Sequence, residues 1–250
     1  MMDTTTGSRR CAVVGNGRLG PALAAALRAA GHDVDGPLGR GARCRGADVV
    51  LLCVPDAEIP AAAAAVEPGP FVGHCSGATG LDVLAPHEAF SLHPLMTVTR
   101  DGAAFAGAGC AVAGGTERAL AAATALAGDL GMNPVAIADG DRAAYHAAAS
   151  IASNFLVTLE AAAERLAATA GAPRELLVPL VRATVENWAA HGPERALTGP
   201  IARGDDITVA RQRAAVAEGA PELLELFDAL AAATRALARE GRATSGAEAA

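Results

Sequence analysis

The sequence predicts an α/β chain in which a mostly parallel sheet wrapped by helices is followed by an all-α C-terminal domain. Three observations carry this. From Cys11 to Asp139, short apolar β-like runs alternate with alanine-rich helical runs, the order that builds a parallel sheet covered by helices. After Asp139 the strand-like runs stop and long helical segments take over. Finally, the first strand-like run, Cys11 to Val14, leads directly into Gly15-Asn16-Gly17-Arg18-Leu19-Gly20 and then an alanine-rich helix.

The expected strands are Cys11 to Val14, Asp33 to Leu38, Asp48 to Val54, Phe71 to Cys75, Ala89 to His93, Gly109 to Ala113 and Pro134 to Ala138. Helices are expected over Leu19 to Ala30, Ala57 to Val66 and Glu117 to Leu130. In the second half they are expected over Asp141 to Thr169, Arg174 to His191, Ile207 to Glu218 and Pro221 to Arg239. The change of class places a boundary at Asp139-Gly140, giving domains 1–139 and 140–250. Asp141 is positioned to cap the first long helix, and Asp205 or Asp206 a later one. The small, polar tail Gly241 to Ala250 is expected to lack structure.

One crossover is short. Nine residues separate Leu38 from Asp48, three of them glycine. As a helix they would span about 13 Å, whereas an extended segment reaches about 30 Å and can return along a strand of roughly 17 to 20 Å. The crossover helix between the second and third strands is therefore expected to be missing.

Composition narrows the function. The 250 residues are 52% hydrophobic and carry a formal net charge of −7, which argues against a sequence-independent grip on nucleic acid or an anionic membrane. Small-molecule partners fit better. All 20 basic side chains are arginine, so Schiff-base and lysine proton-donor chemistry are excluded. The cysteines Cys11, Cys44, Cys53, Cys75 and Cys110 are odd in number and lack paired metal spacing; no metal site is expected. Met1 to Arg10 is polar and no apolar run approaches the length of a membrane span, so a cytoplasmic location is expected.

The glycine turn is the strongest single motif. In a Rossmann-type domain Gly15 permits the tight turn, Gly17 lets a pyrophosphate approach the backbone, and Gly20 packs helix on strand, while helix N-terminal amides face the phosphates. Gly15, Asn16, Gly17, Arg18, Leu19 and Gly20 are accordingly the candidate cofactor-binding residues, with Val54 and Pro55 at the end of the third strand. Asp35 has a spacing that suits the ribose of NAD, yet Gly36-Pro37-Leu38 extends the strand and moves its tip to Gly39-Arg40. Arg40 offers a cation to the 2′-phosphate of NADP, or else belongs to a solvated arginine loop with Arg43 and Arg45.

Three further strings, His74-Cys75-Ser76-Gly77-Ala78, Ser91-Leu92-His93-Pro94-Leu95 and Leu197 to Asp205, complete a pattern with the glycine turn and Val54-Pro55-Asp56. Across nearly its whole length the chain resembles a family of oxidoreductases that join a Rossmann-like domain to a helical C-terminal domain of unknown function. These are relatives of pyrroline-5-carboxylate reductase, ketopantoate reductase, deazaflavin-dependent NADP oxidoreductases and the 6-phosphogluconate dehydrogenase superfamily. The resemblance implies an NADP-linked reduction or oxidation, NAD being the other nucleotide. Many superfamily relatives carry a lysine, and an asparagine four residues later, on the first helix of the second domain; Ser150 and Asn154 stand in that relation here. The likeness to pyrroline-5-carboxylate reductase implies that Arg203 and Thr208 line a substrate pocket.

The residues themselves suggest an acid–base set. His146, Ser150 and Asn154 are spaced i, i+4, i+8 and so share a helix face. Hydride transfer needs a proton donor, for which imidazole is suited, and an amide such as Asn154 orients a carbonyl. The alternative is that these side chains bond across an interface. His74, Ser76 and His93 follow strands whose C-terminal ends flank a ligand in open parallel sheets. Ser76 is a candidate for holding a substrate anion, and His74 for a backbone-bonded structural role. His32 reads as loop, and Tyr145 and Trp188 as core or interface anchors.

The sequence therefore predicts an NADP-dependent oxidoreductase acting on a small anionic carbonyl, imine or hydroxy compound, with His146 or His93 as proton donor. It is expected to be a homodimer joined through the helical domain. A cofactor-depleted sensor or interaction protein is the alternative from another class, and an NAD-dependent prephenate-type dehydrogenase a third.

Overall fold

The computed structural model describes residues 7–99 and 102–248. Met1 to Thr6, part of the polar start, and the last two residues of the tail lie outside the described residues. The chain divides into two compact units, residues 1–151 and 152–250.

The first unit is built on a seven-stranded sheet: β1 (Arg10–Val14), β2 (Asp33–Leu38), β3 (Val49–Leu52), β4 (Phe71–His74), β5 (Glu88–Leu95), β6 (Gly109–Gly114) and β7 (Asn133–Ala136). Their order is β2-β1-β3-β4-β5-β6-β7. All neighbours are parallel except β5 and β6, which pair antiparallel from Phe90↔Gly114 to Leu95↔Gly109. The chain order switches direction between β1 and β3, and that is where such sheets open a crevice at their C-terminal edge.

Strand alternation explains the core. In β1 and β3, Cys11, Val13, Val49 and Leu51 face one layer with α1 (Leu19–Ala29) and α3 (Glu117–Asp129). Ala12, Val14, Val50 and Leu52 face the other, against Ile59 and Ala63 of α2 (Ile59–Ala65). With both faces covered, Cys11–Val14 of β1 and the whole of β3 are apolar on both sides. Leu23 and Leu27 of α1 and Leu126 of α3 are fully buried, each contributing about 1.5–3 kcal/mol. Thr116 caps α3, its hydroxyl accepting from the Ala119 amide at 3.1 Å.

Between β2 and β3 the chain runs through turns with no helix, as the nine-residue crossover requires. β2 continues through Gly36-Pro37 to Leu38, which places Arg40 at its tip. His32 is not loop chemistry: its ring is buried, accepts from the Arg9 amide at 3.3 Å and lies 3.2 Å from the Asp129 carboxylate.

The expected single helix over Asp141–Thr169 is interrupted. α4 (Arg142–Ser150) passes into a π turn at Ile151–Phe155, and α5 (Leu156–Thr169) follows. Asp141 precedes α4 but its side chain makes no capping bond, because the backbone there is already helical.

The second unit is helical: α5, α6 (Arg174–His191), α7 (Pro193–Ala196), α8 (Pro200–Arg203), α9 (Asp206–Gly219) and α10 (Leu224–Glu248). Its interior includes Val209, Val216, Ala231 and Ala238. The chain beyond Gly241, expected to lack structure, instead continues α10 to Glu248: alanine, arginine and glutamate favour helix, and the Arg242 guanidinium donates to the Ala202 carbonyl at 3.2 Å. No helix among the described residues is long and apolar enough to cross a membrane.

Candidate active site on the C-terminal edge of the sheet

Gly15, Asn16 and Gly17 leave β1 and line a cleft of about 330 Å³ with Leu38, Gly39 and Arg40 from the β2 tip and Cys53, Val54, Pro55 and Glu58 after β3. Gly15 has φ +126°, and a Cβ there would lie 2.2 Å from the Cys53 carbonyl oxygen. A Cβ at Gly20 would lie 1.9 Å from the Gly15 oxygen, so both glycines are sterically required. Gly17 differs, because a Cβ there would meet no protein atom within 4 Å. Its bare backbone is not a packing requirement and suits close approach of a ligand.

Helix α1 starts at this turn with no side-chain cap at Arg18 and no acidic residue in its first turn, which leaves its N-terminal amides and dipole directed at the cleft. Leu19 packs partly buried against the core rather than toward the cleft. The residues present fit a dinucleotide on both chemistry and shape.

Arg40 is not a lone cation. Its guanidinium lies 2.9 Å from Glu58 Oε1. Glu58 Oε2 is buried and has no hydrogen-bond partner among the described residues.

Farther along the same edge, the ends of β4 and β5 carry a polar network. His74 is fully buried, accepts at Nδ1 from the Ser76 amide at 3.3 Å, and so donates from Nε2 to the Gly80 carbonyl at 3.2 Å. Burial lowers its pKa, and it has the structural role that the sequence allowed. The Ser76 hydroxyl donates to Asp56 Oδ2 at 2.7 Å and accepts from the Ala78 and Thr79 amides at 3.2 and 3.0 Å. That valence is full, so Ser76 ties two loops together and does not hold a substrate anion.

Arg142, at the start of α4, is 3% exposed; its Nε donates to Asp139 Oδ1 at 2.6 Å and its Nη2 to Ser91 Oγ at 2.7 Å. Asp139 Oδ2 also accepts from the Leu81 amide at 3.2 Å. This clamp presents the next turn of α4 to the end of β5. There His93 Nδ1 and the Tyr145 hydroxyl are hydrogen-bonded at 2.8 Å, and the His146 ring lies 6.3 Å from the His93 ring, centroid to centroid. A Cβ at Gly77 would come within 2.9 Å of both imidazoles, so glycine lets them converge on that backbone. Burial, then the neighbouring His146, pushes the His93 pKa down to about 4. His93 is therefore neutral near pH 7 and cannot be the protonated donor that the sequence suggested. Burial likewise raises the Tyr145 pKa.

The structure thus gathers Gly15, Asn16, Gly17, Arg40, Val54 and Pro55 at one end of the edge and His93 and His146 at the other. Tyr145 was missed as a functional residue because an aromatic at helical spacing gives no sign of its hydrogen bond. Glu58 was missed because a glutamate early in a helix reads as a surface charge.

The other expected site residues are described by their local surroundings. Ser150 ends α4 half-buried, while Asn154 falls in the π turn, whose wider winding breaks the i, i+4, i+8 register, and receives the Ser153 hydroxyl at 3.4 Å. Thr208 is engaged in capping α9: Asp205 accepts from its amide at 3.0 Å and from its hydroxyl at 2.7 Å. Arg203 is an exposed residue at the end of α8. Among the described residues no group of three or more His, Cys, Asp or Glu side chains is placed to hold a metal ion.

Fold and edge together define a Rossmann-like protein with an open glycine turn, joined to a helical unit. A family model described as domain of unknown function (DUF2520) matches residues 108–234, half of the chain, and a Rossmann-like domain model matches residues 37–98. The chain belongs to the DUF2520 family.

No curated protein matches the sequence. Among solved structures, protein TM1727 from Thermotoga maritima is 24% identical with a TM-score of 0.78, covering 93% of this chain and 99% of its own. A provisionally named NADP oxidoreductase from Bacteroides fragilis is 18% identical with a TM-score of 0.77, covering 91% and 98%. The 1-pyrroline-5-carboxylate reductase of Streptococcus pyogenes is 13% identical with a TM-score of 0.61, covering 92% and 99%. At these identities the likeness is one of fold.

Proposed function

We propose that the chain is an NADP-dependent oxidoreductase, with NAD as the possible second nucleotide, that transfers hydride to or from a small anionic carbonyl, imine or hydroxy compound. The observation that carries this reading is one sheet edge bearing both an uncapped glycine turn and, at neighbouring strand ends, a hydrogen-bonded imidazole and phenol beside a second imidazole. The names of the Bacteroides and Streptococcus proteins support the same class of reaction.

The nicotinamide, when bound, supplies or accepts the hydride. The amides of Gly17, Arg18 and Leu19 hold the pyrophosphate, and Arg40 faces the adenosine end. The Tyr145 hydroxyl donates to His93 Nδ1 and sets the tautomer with the proton on Nε2. His93 then acts as a neutral hydrogen-bond donor that polarises the reacting oxygen or nitrogen. His146, exposed beside it, moves the proton between that atom and solvent. Arg203 is the candidate for the substrate's anionic group.

A second copy of the chain is proposed as the partner through the helical unit. Leu176, Leu180 and Trp188 of α6 are 65%, 64% and 58% exposed, an apolar surface that favours cover.

NADPH fluorescence titration of wild type and Gly17→Ala tests the reading. Wild type is expected to bind at micromolar concentrations. Gly17→Ala is expected to melt at the same temperature but bind about tenfold more weakly or worse, as a side chain enters the phosphate approach. Equal affinity in the two proteins, or no binding by folded wild type at millimolar nucleotide, defeats the proposal. The latter outcome favours the cofactor-depleted reading, to which the missing β2–β3 helix gives separate support.

A further inference from the structure

Glu58 closes the 3-10 turn Asp56–Glu58 after β3, and its side chain is part of the cleft wall beside the β2 tip. Its two carboxylate oxygens are in different situations. Oε1 is 2.9 Å from the Arg40 guanidinium, whereas Oε2 is buried and has no protein partner among the described residues. An unpaired buried carboxylate oxygen is costly, and such atoms in folded proteins call for a donor.

The position restricts what that donor can be. A dinucleotide laid across the β1/β3 switch point puts its pyrophosphate on the start of α1 and its adenosine toward the tip of β2. Leu38, Gly39 and Arg40 form that tip, and Glu58 stands beside them. On this stretch of nucleotide the groups able to donate are the ribose hydroxyls and the adenine amine; the pyrophosphate has none.

We propose that Glu58 is the acceptor for the adenosine ribose and that the Arg40–Glu58 pair sets the choice between NAD and NADP. The assignment rests on the dinucleotide reading above. The Glu58 side chain is 31% exposed, and with its carboxylate turned to bring Oε2 out to the cleft it accepts the 2′-hydroxyl of NAD. In NADP a phosphate replaces that hydroxyl, gaining the Arg40 guanidinium while meeting the negative charge of Glu58. The pull of Arg40 on the 2′-phosphate is thereby offset, and both nucleotides are admitted with comparable affinity. A β2 tip carrying Arg40 alone would strongly prefer NADP; the carboxylate makes the preference shallow.

The test is NADPH and NADH fluorescence titration of wild type, Glu58→Gln and Arg40→Gln, with a thermal melt of each. Wild-type Kd values are expected to lie within about tenfold of each other. Glu58→Gln is expected to tighten NADPH about tenfold and weaken NADH severalfold, while Arg40→Gln moves the ratio the opposite way. Arg40 is 76% exposed, so its variant reports even if Glu58→Gln unfolds. A folded Glu58→Gln that changes both Kd values by the same factor, or neither, overturns the assignment, as does an Arg40→Gln that leaves the ratio unmoved. A folded wild type that binds neither nucleotide removes the dinucleotide reading itself and this proposal with it.

Discussion

Acidification should loosen the sheet unit through one ring. The His93 pKa falls from 6.5 to about 4 because burial and the adjacent His146 disfavour its charged form. Between those values the unfolded chain binds the proton more readily than the folded one. The ring's contribution to stability is therefore present above about pH 6.5 and lost as pH falls through the window toward 4. At 1.36 kcal/mol per pH unit the full difference is about 3 kcal/mol, and solvent access to a half-buried ring reduces this to roughly 2 kcal/mol. That is a sizeable part of a typical stability of about 5–15 kcal/mol. Urea unfolding followed by far-UV circular dichroism at pH 7.0 and 4.5 measures it, with His93→Gln as the comparison because glutamine keeps a polar partner for Tyr145 but does not titrate. Wild type should lose about 2 kcal/mol more than His93→Gln on acidification, since the other titrating groups contribute nearly equally to both. Parallel losses in the two proteins would refute the burial argument, as would an NMR titration placing the His93 ring near 6.5.

Gly20→Ala should destabilise by about 1–3 kcal/mol or abolish folding, since its Cβ would lie 1.9 Å from a backbone oxygen; an unchanged urea midpoint would count against the described turn. Replacing His146 by Ala should lower turnover about a hundredfold or more while leaving the NADPH Kd nearly unchanged, and unaltered turnover would take the residue out of the proton path. Leu180→Asp on α6 should convert a dimer into a monomer by light scattering, and a wild-type monomer at micromolar concentration would contradict the proposed pairing.

Much of the fold was legible because its signals are local. The apolar runs at β1 and β3, buried on both faces, declare strands by composition, and a nine-residue crossover forbids a helix on length alone. The ends of α6 coincide with Arg174 and His191 as read, because Pro173 and Gly192 punctuate them. What escaped was set by partners distant in the chain or by small changes of winding. Helical periodicity does not register a π turn, so Asn154 was aligned with His146 and Ser150. Ser76 looked free because its saturation depends on Asp56, twenty residues away, and on a turn closed by its own neighbours. Tyr145 needed His93, fifty-two residues away, to acquire a role. The glycine turn could be read from spacing, but the distinction between two packing glycines and one facing open space could not.

The hydrogen bonds along the strand ends form nearly a single chain of linkage. Asp56 holds Ser76, whose loop carries Gly80 to His74 and Leu81 to Asp139; Asp139 holds Arg142, Arg142 holds Ser91, and two strand positions later His93 holds Tyr145. In a rim tied this way the cost of losing two of its members should differ from the sum of the separate losses. A lone change far from the imidazoles can therefore retune the angle at which they meet a guest.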